Sequence, residues 1–349
     1  MKIAIISPKN YADRQPGSCR IDQHTKLLEL ELERQGHDVH VYLLSADQFS
    51  NQSSTPKLLS SNALLSELKV GGFDVVHNSC LQLIPLAQMH QLPCKVVTTL
   101  QAPPKSAEKA GVLLANLAFN HHYVAVSEYV AKQWEDIIGY RCSVIYQGVE
   151  EERWEEIYAP YLRTAVWSGS ICPDKGTAQA ISAAKEAGFR LKIAGPIVDQ
   201  AYFEREVKPA LGRNVTYVGD LAWNDLAPHL GHSQCGLVTN MNEHSYGITA
   251  AEMTTLGLPV VAFGTGSVAE LVKESTGFIV AKNDIETMAG MMKATQQTCR
   301  LRCRNHSQAS FSGRQMGMFY GNFFNQLMDP AMVTNLPARA TVEKLGKVA

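Results

Sequence analysis

Short apolar runs alternate with amphipathic stretches along most of the chain. Lys2–Ser7 is apolar almost throughout, as expected for a parallel strand buried on both faces. A loop of turn-forming residues follows, then leucines at helical spacing that end at Gly36, and then the alternating segment His37–Leu44. Because strand, helix and strand in this order form a βαβ unit, we predict a parallel sheet from the start of the chain.

The rest of the first half contains four further strand-like runs. They are Asp74–His77, Lys95–Thr99, Tyr123–Val126 and Ser143–Tyr146. Asn51–Lys57 is polar and is predicted to be a loop. Glu150–Leu162 contains many Glu, Trp and Tyr residues without a strand pattern, so we interpret it as the connection to a second domain.

The second half repeats the alternation of strands and helices. The predicted strands are Ala165–Ser168, Arg190–Ala194, Val215–Val218, Cys235–Thr239, Pro259–Ala262 and Phe278–Val280. The predicted helices are Thr177–Ala187, Ile248–Leu256, Ile285–Thr298 and Gly313–Met328. Two doubly wound domains in tandem account for this pattern, and ligands of such sheets bind beyond the carboxyl ends of the strands.

The domain boundaries follow from these elements. We expect a Rossmann-like N-terminal domain over residues 1–155 and a Rossmann-like C-terminal domain over residues 156–310. A C-terminal helix within 311–330 is then free to pack back on the N-terminal domain, and 331–349 forms a loose tail.

Composition and charge exclude several classes of protein. The 349 residues suffice for two cores, and the net charge of −1 lacks the basic footprint of a nucleic-acid binder. No secretory signal is visible, and no stretch approaches the roughly 20 apolar residues of a membrane span. The eight cysteines are scattered without a paired Cys-x-x-Cys grid, which favours reduced thiols over a zinc site. We therefore expect a cytoplasmic protein, with membrane contact at most peripheral at the inner face.

The first segment with candidate chemistry is Ser168–Gly176, which follows a strand and opens a helix. Its glycines allow a backbone to approach a ligand closely, and a helix start suits phosphate. Lys175 adds a cation beside that helix start. The alternative is an ordinary βα turn with a solvated lysine, and the spacing alone does not separate the two.

The second segment is Asn242–Glu252, which also lies between a strand and a helix. Tyr246 and Gly247 predict a tight turn, and Glu252 falls just over one turn inside the helix. An acidic side chain there is suited to accept hydrogen bonds from paired hydroxyls, such as those of a ribose. The pattern alone favours the alternative, a carboxylate that only complements the helix dipole.

Taken together, Val166–Val280 resembles the C-terminal domain of the family 4 glycosyltransferases, which are retaining enzymes of GT-B fold. The matching segments are Gly169–Gly176, His244–Gly247 followed by Glu252-Met253, Gly257–Ala262, Gly266–Val272 and Thr276–Val280. The N-terminal half resembles the family at Asp74–Asn78, Val124–Ser127 and Val144–Val149. The resemblance covers about nine-tenths of the chain and implies an α/β protein of GT-B class, with two Rossmann-like domains facing across a cleft.

The resemblance also implies roles for individual residues. Lys175 would pair with the donor diphosphate, Glu252 would bind the nucleotide ribose, and the catalytic group would comprise Lys175, His244 and Glu243. Glu270 would only help to order its loop. The donor site implied in this way consists of Gly169, Ser170, Lys175, Ser245, Tyr246, Gly247, Ile248 and Glu252. The acceptor side implied in this way consists of Gly17, Ser18, Arg20 and Gln101.

Four positions depart from the family pattern. Ser170 replaces an arginine, and a lost charge-assisted hydrogen bond weakens an interaction by about 1.5–3 kcal/mol. His244 replaces the first glutamate of a Glu-x7-Glu motif, with Glu243 one residue earlier. Gln101 replaces a histidine common near the sugar, and a glycine pair is reduced to Gly17-Ser18. Arg20 or a protonated His244 is a candidate replacement for the missing charge; a plain loop arginine is the alternative for Arg20.

The implied function is a retaining hexosyltransferase in polysaccharide or glycoconjugate biosynthesis, which moves a sugar from a nucleoside diphosphate to a hydroxyl. The acceptor classes left open are a free sugar, a lipid-linked sugar and a small molecule. No Asp-x-Asp metal site is visible, so we expect neither a metal nor another cofactor. The alternatives are a glycosyltransferase-like binding or partner protein without activity, a nicotinamide-dependent enzyme, for which Gly-x-Gly-x-x-Gly is missing, and a GT-B epimerase or phosphorylase.

Overall fold

The chain folds into two compact units. The computed structural model describes residues 1–8, 20–44, 57–59, 61–80, 87–116, 120–150, 159–221, 223–243 and 246–329. Of these, the first unit comprises the residues up to Gly148 together with those from Gly313 onward, and the second comprises Val149–Ser312. The chain therefore leaves the first unit, builds the second and returns.

The first unit is built on a parallel sheet of seven strands in its described part. The strands are β1 (Lys2–Pro8), β2 (Asp38–Leu44), β3 (Lys57–Leu59), β4 (Val75–Asn78), β5 (Lys95–Leu100), β6 (His121–Ala125) and β7 (Ser143–Val144), in the order β3-β2-β1-β4-β5-β6-β7. The intervening helices are α1 (Arg20–Arg34), α2 (Ser61–Val70), α3 (Ser106–Ala115) and α4 (Glu128–Ile138). Every pair is parallel, and Ile3 lies beside both Val39 and Val75. Residues 3–7 of β1 are all fully buried, so this central strand is covered on both faces, as its apolar run predicted.

The second unit contains a parallel sheet of six strands in its described part. They are β8 (Tyr161–Ser168), β9 (Arg190–Ala194), β10 (Val215–Gly219), β11 (Ser233–Val238), β12 (Val260–Phe263) and β13 (Gly277–Val280), in the order β10-β9-β8-β11-β12-β13. The helices are α5 (Thr177–Ala187), α6 (Gln200–Tyr202), α7 (Trp223–Gly231), α8 (Ile248–Thr255), α9 (Val268–Leu271), α10 (Ile285–Ala294) and α11 (Arg300–Phe311). The chain winds from β8 to one side and from β11 to the other, so these two adjacent strands form the switch point.

The last helix, α12 (Gly313–Met328), belongs to the first unit and packs against α1. Three glycines spaced four residues apart make this close approach possible, because residues at that spacing share one helix face. A Cβ at Gly313, Gly317 or Gly321 would lie 2.6, 2.3 or 2.2 Å from a side-chain atom of α1 or of Gln35, just after it. On the same helix, Tyr320 and Phe324 are fully buried in the core of the unit.

Most predicted elements are present, and the exceptions have physical reasons. The helix predicted over Ile285–Thr298 ends at Ala294 and continues as a 3₁₀ turn. Helix α11 was not predicted because it buries a face of mixed character, formed by Cys303, Ser307 and Phe311. Strand β8 starts at Tyr161, inside the segment predicted as a connection, since its first residues are exposed and show no apolar run.

Two other predicted segments are only partly described. Lys57 belongs to β3, the edge strand, and not to a loop, whereas residues 51–56 lie outside the described residues. Of the connection predicted over Glu150–Leu162, residues 151–158 lie outside them, as do residue 330 and the predicted tail 331–349. Within the described part of the chain, no helix combines the length and the apolar character needed to cross a membrane.

Candidate functional site

The loop between β8 and α5, residues Gly169–Gly176, is here called the lysine loop. It leaves the carboxyl end of a central strand and tightens into a 3₁₀ turn over Pro173–Lys175. Gly176 then adopts a left-handed conformation with φ of +67° and starts α5. Lys175 is half-buried at this helix start, which is the placement that the sequence predicted.

Thr239 fastens the lysine loop to the loop after the neighbouring strand β11. Its hydroxyl accepts a hydrogen bond from the indole Nε1 of Trp167 at 3.0 Å. The same hydroxyl donates toward the carbonyl oxygens of Gly176, at 2.8 Å, and Lys175, at 3.1 Å. In addition, the amide of Met241 donates to the carbonyl of Asp174 at 2.8 Å. The backbone that presents Lys175 is therefore held by a fully buried side chain from the next strand.

Glycines also allow the backbone of the lysine loop to pack closely against the loop after β9. The amide of Gly169 donates to the carbonyl of Ala194 at 3.0 Å. Gly195 has φ of +130°, and a Cβ there would lie 2.1 Å from the Gly169 carbonyl oxygen. Only glycine fits such an approach. The first part of the lysine loop therefore lies directly against the loop after β9, and Gly169 and Ser170 are half-buried there.

The loop after β11, residues 239–247, is called the β11 loop. It ends with the buried Tyr246 and with Gly247, whose φ of +82° caps the start of α8. A Cβ on Gly247 would meet Val268 Cγ2 at 2.6 Å, so α9 packs directly against this turn. Ile248 opens α8, where the backbone amides of the first turn and the positive end of the dipole favour an anion.

Glu252 lies on α8, just over one turn from its start, and is only 5% exposed. The oxygens of a carboxylate only accept hydrogen bonds. Two neighbouring hydroxyls, such as those of a ribose, can both donate hydrogen bonds to such a carboxylate. The switch point therefore has a half-buried cation on the β8 side and a buried carboxylate on the β11 side, and crevices at switch points are where parallel sheets bind ligands.

Glu243 is tied to the turn after β12, residues Gly264–Ser267, here called the β12 turn. Its Oε2 accepts a hydrogen bond from the backbone amide of Gly266 at 2.7 Å. Close by, the hydroxyl of Thr265 donates to the carbonyl of Asn240 at 3.0 Å. The two other candidates of this loop, His244 and Ser245, lie outside the described residues.

The acceptor-side candidates belong to the first unit. Gln101 directly follows β5 and is buried, and its Oε1 accepts a hydrogen bond from Gln147 Nε2. Its Nε2 has no hydrogen-bond partner among the described residues. Arg20 is the first residue of α1, and nothing is described of its side chain; Gly17 and Ser18 lie outside the described residues.

A buried polar cluster in the first unit was not predicted. His77 Nε2 and Tyr320 Oη each lie 2.8 Å from Thr99 Oγ1, and His24 packs edge-on against the Tyr320 ring. Burial lowers the pKa of His24 to about 4, and burial together with the nearby His24 lowers the pKa of His77 to about 3. Burial likewise raises the pKa of Tyr320. The four residues come from α1, β4, β5 and α12, and no sequence pattern connects them.

Three further residues that build the candidate site were missed. Thr239 and Gln147 act through single side-chain contacts, which leave no mark in local sequence. Gly195 did have a signal, because a glycine directly after a strand is typical of a close backbone approach.

Two protein-family models match the chain. The model described as Glycosyltransferase Family 4 matches residues 21–153, and the model described as Glycosyl transferases group 1 matches residues 163–297. Together the matches cover well over half of the chain, one in each unit. An uncharacterized glycosyltransferase from Methanocaldococcus jannaschii is 25% identical over 167 residues. That match spans 46% of this chain and 45% of the relative, so the chain covers less than half of the length of this curated relative.

Solved structures of the same fold match almost the whole chain. A glycosyltransferase from Rickettsia africae is 16% identical with a TM-score of 0.74, over 94% of this chain and 99% of that one. The Anabaena protein HepE, solved in complex with UDP, is 14% identical with a TM-score of 0.73, over 93% and 100% of the two chains. AviGT4, a glycosyltransferase involved in avilamycin A biosynthesis, is 19% identical with a TM-score of 0.69, over 93% and 97%. At these identities the likeness establishes the fold, and the predicted pair of Rossmann-like domains is confirmed.

Proposed function

Because the chain belongs to the family 4 glycosyltransferases of GT-B fold, we propose that it transfers a sugar from a nucleoside diphosphate to a hydroxyl acceptor with retention of configuration. One observation supports this most. The switch point between β8 and β11 presents Lys175 from one strand and the start of α8 with Glu252 from the next. A cation, a helix N-terminus and a buried carboxylate match a diphosphate joined to a ribose.

In the proposed reaction, the bond between the anomeric carbon and the diphosphate oxygen breaks and leaves an oxocarbenium-like sugar. The acceptor hydroxyl attacks from the same face, and its proton passes to the departing phosphate. No strong protein base is needed, since the protein positions the reactants and stabilises the leaving charge. Lys175 and the helix starts at Gly176 and Ile248 are the groups suited to that stabilisation.

The other residues of the proposed donor site have separate roles. Glu252 accepts hydrogen bonds from the ribose hydroxyls, and the amides of Tyr246, Gly247 and Ile248 face the phosphates or the sugar. Ser170 and His244 occupy positions where the family has an arginine and a glutamate, so they are expected to affect the choice of donor sugar. The proposal includes no metal, because lysine and backbone amides supply the positive charge.

For the acceptor side we propose Gln101, Arg20 and the segment that contains Gly17 and Ser18. The buried Nε2 of Gln101, without a partner among the described residues, is suited to donate to an oxygen of the substrate. A sugar, a lipid-linked sugar and a hydroxyl-bearing small molecule all offer such an oxygen. We place the activity in the cytoplasm, where nucleotide sugars are soluble co-substrates.

A second candidate function is a glycosyltransferase-like binding or partner protein without turnover. The uncharged Ser170 favours it, because the lysine loop then has one cation beside the diphosphate where the family has two. A loss of about 1.5–3 kcal/mol corresponds to roughly one to two decades in rate or affinity, which weakens an enzyme without abolishing it. We therefore favour the active enzyme.

Calorimetry with UDP, GDP, ADP and TDP and with their sugars tests the donor assignment. Binding of one nucleotide is expected, and binding of none would overturn the proposal. Incubation with the selected nucleotide sugar, followed by nuclear magnetic resonance of the released or transferred sugar, then reports turnover and anomeric configuration. Tight binding without any turnover would support the binding protein instead.

A further inference from the structure

We propose that Glu243 is a positioning residue, which holds the β12 turn against the β11 loop and does not itself contact the donor sugar. This inference rests on the proposed function, because it concerns the loop that leads into the donor site. It also answers a question raised by the sequence, in which Glu243 precedes His244 and was a candidate to replace the missing glutamate of the family motif.

The carboxylate of Glu243 already has a defined partner. Its Oε2 lies 2.7 Å from the backbone nitrogen of Gly266, a distance typical of a charge-assisted hydrogen bond. Gly266 has φ of +56°, a left-handed conformation that turns its amide at the tip of the β12 turn. Moving the carboxylate away would remove this hydrogen bond from the Gly266 amide, so Glu243 as placed serves to join the two loops.

Two further contacts join the same pair of loops. The Thr265 side chain is 1% exposed, and its hydroxyl donates to the carbonyl of Asn240 at 3.0 Å. At the other end of the β11 loop, Val268 packs against Gly247, where even a Cβ would come within 2.6 Å. The β12 turn therefore contacts the β11 loop at Asn240 and Glu243, and the start of α9, directly after this turn, contacts it at Gly247.

This arrangement gives Glu243 a role that depends on hydrogen-bond acceptance and not on charge at the reacting atoms. The amides at Tyr246, Gly247 and Ile248, proposed to face the donor, begin three residues after Glu243. Their positions depend on where the β11 loop is held. Releasing the tie lets the loop sample other conformations, and a ligand then binds only to the fraction of molecules with the competent one.

Glu243→Ala and Glu243→Gln separate the two roles. The glutamine keeps an oxygen that accepts from Gly266, whereas alanine has none. The nucleoside diphosphate that the wild type binds in calorimetry is the probe, with thermal unfolding measured in parallel. Glu274→Ala, which alters an exposed glutamate on another loop of the same unit, is the matched control.

We expect Glu243→Ala to bind the nucleotide roughly tenfold more weakly, equivalent to about 1.4 kcal/mol, with little change in melting temperature. Glu243→Gln is expected to recover most of that affinity, and Thr265→Val to weaken binding in the same direction as Glu243→Ala. In donor kinetics, the loss is expected in KM more than in kcat. Hydrogen exchange at the Gly266 amide, followed by nuclear magnetic resonance, is expected to be faster in Glu243→Ala than in Glu243→Gln.

Two outcomes would overturn the inference while leaving the proposed function intact. One is nucleotide affinity in Glu243→Ala equal to that of the wild type. The other is a Glu243→Gln enzyme that binds nucleotide but loses kcat as severely as the alanine variant, since that would assign the charge a direct catalytic role. If the wild type binds none of the four nucleotides, the proposed function fails first and the inference falls with it.

Discussion

The backbone of Gly176 lies directly against that of Thr239. A Cβ at position 176 would come 2.0 Å from the Thr239 carbonyl oxygen, closer than any real side chain approaches. The same threonine donates its hydroxyl proton to the Gly176 carbonyl. Gly176, in the loop after β8, and Thr239, directly after the adjacent strand β11, therefore fix the start of α5 next to Lys175.

Gly176→Ala is expected to destabilise the protein and to weaken nucleotide binding. The positive φ alone disfavours alanine by roughly 1–2 kcal/mol, and the overlap with Thr239 adds to this. Gly188→Ala is the matched control, because Gly188 has φ of +72° with no atom within 4 Å of its Cβ position. Denaturant unfolding measures both variants, and equal losses at the two positions would show that the contact with Thr239 is unimportant.

Lys175→Met is expected to reduce affinity for a nucleoside diphosphate by roughly ten- to a hundredfold, since a charge-assisted contact contributes about 1.5–3 kcal/mol. Affinity for the corresponding nucleoside, which lacks phosphates, should change far less. Lys185→Met, on the exposed surface of α5, serves as the control. Calorimetry checks the result, and an equal loss for nucleoside and diphosphate would contradict the assignment of Lys175.

Glu252→Gln is expected to reduce discrimination between ribonucleotides and 2′-deoxyribonucleotides. A carboxylate accepts from both ribose hydroxyls, and a site built to bind a hydroxyl rejects an analogue without it. We expect the wild type to prefer the ribonucleoside diphosphate by about tenfold or more, near 1.4 kcal/mol, and the variant to lose much of that preference. A preference unchanged by the substitution, measured by competition binding, would exclude the ribose role.

Stability is expected to fall as the pH drops from about 6.5 to about 3. His24 and His77 have folded-state pKa values near 4 and 3, below the ordinary value of 6.5, because burial disfavours their charged forms. The unfolded chain therefore binds more protons in this window, and the loss reaches on the order of 3 kcal/mol per histidine by pH 4. His24→Leu should flatten the pH dependence of the free energy of unfolding. The control Lys26→Ala, on the exposed side of the same helix, should not.

Tyr320→Phe is expected to lower the free energy of unfolding by about 1–3 kcal/mol, since it removes a buried hydroxyl that pairs with Thr99. Thr99→Val should lower it further, because both Tyr320 Oη and His77 Nε2 then lose their partner. Tyr161→Phe, at a half-exposed tyrosine of the second unit, is the control. If Tyr320→Phe unfolds at the same denaturant concentration as the wild type, the link between α12 and β5 does not contribute to stability.

Much of the fold could be predicted because its signals are local. Buried parallel strands such as Val260–Phe263 are short apolar runs, and α5 is bounded by two glycines that adopt left-handed conformations. Helix α11 escaped prediction because its buried face mixes polar and apolar residues, and the first residues of β8 escaped because they are exposed. Periodicity identifies an element only where one face is consistently apolar.

The candidate site was predictable in part for the same reason. A glycine before a helix, a lysine at its start and a glutamate one turn into another helix are local features, which made Lys175 and Glu252 candidates; only the resemblance to the family implied their roles. The partners that hold them were not, since Thr239 follows Gly176 by 63 residues and Gly266 follows Glu243 by 23. Which loops become neighbours depends on strand order.

The sequence by itself thus determined the elements, their alternation and the residue types at the strand ends, because side-chain periodicity and glycine conformations act over a few residues. Only the tertiary structure decided that β8 lies beside β11, that the Glu243 carboxylate is engaged by Gly266, and that Gln101 pairs with Gln147. Such contacts form between residues distant in the chain, through the packing of a whole sheet, and therefore leave no periodic trace in the sequence.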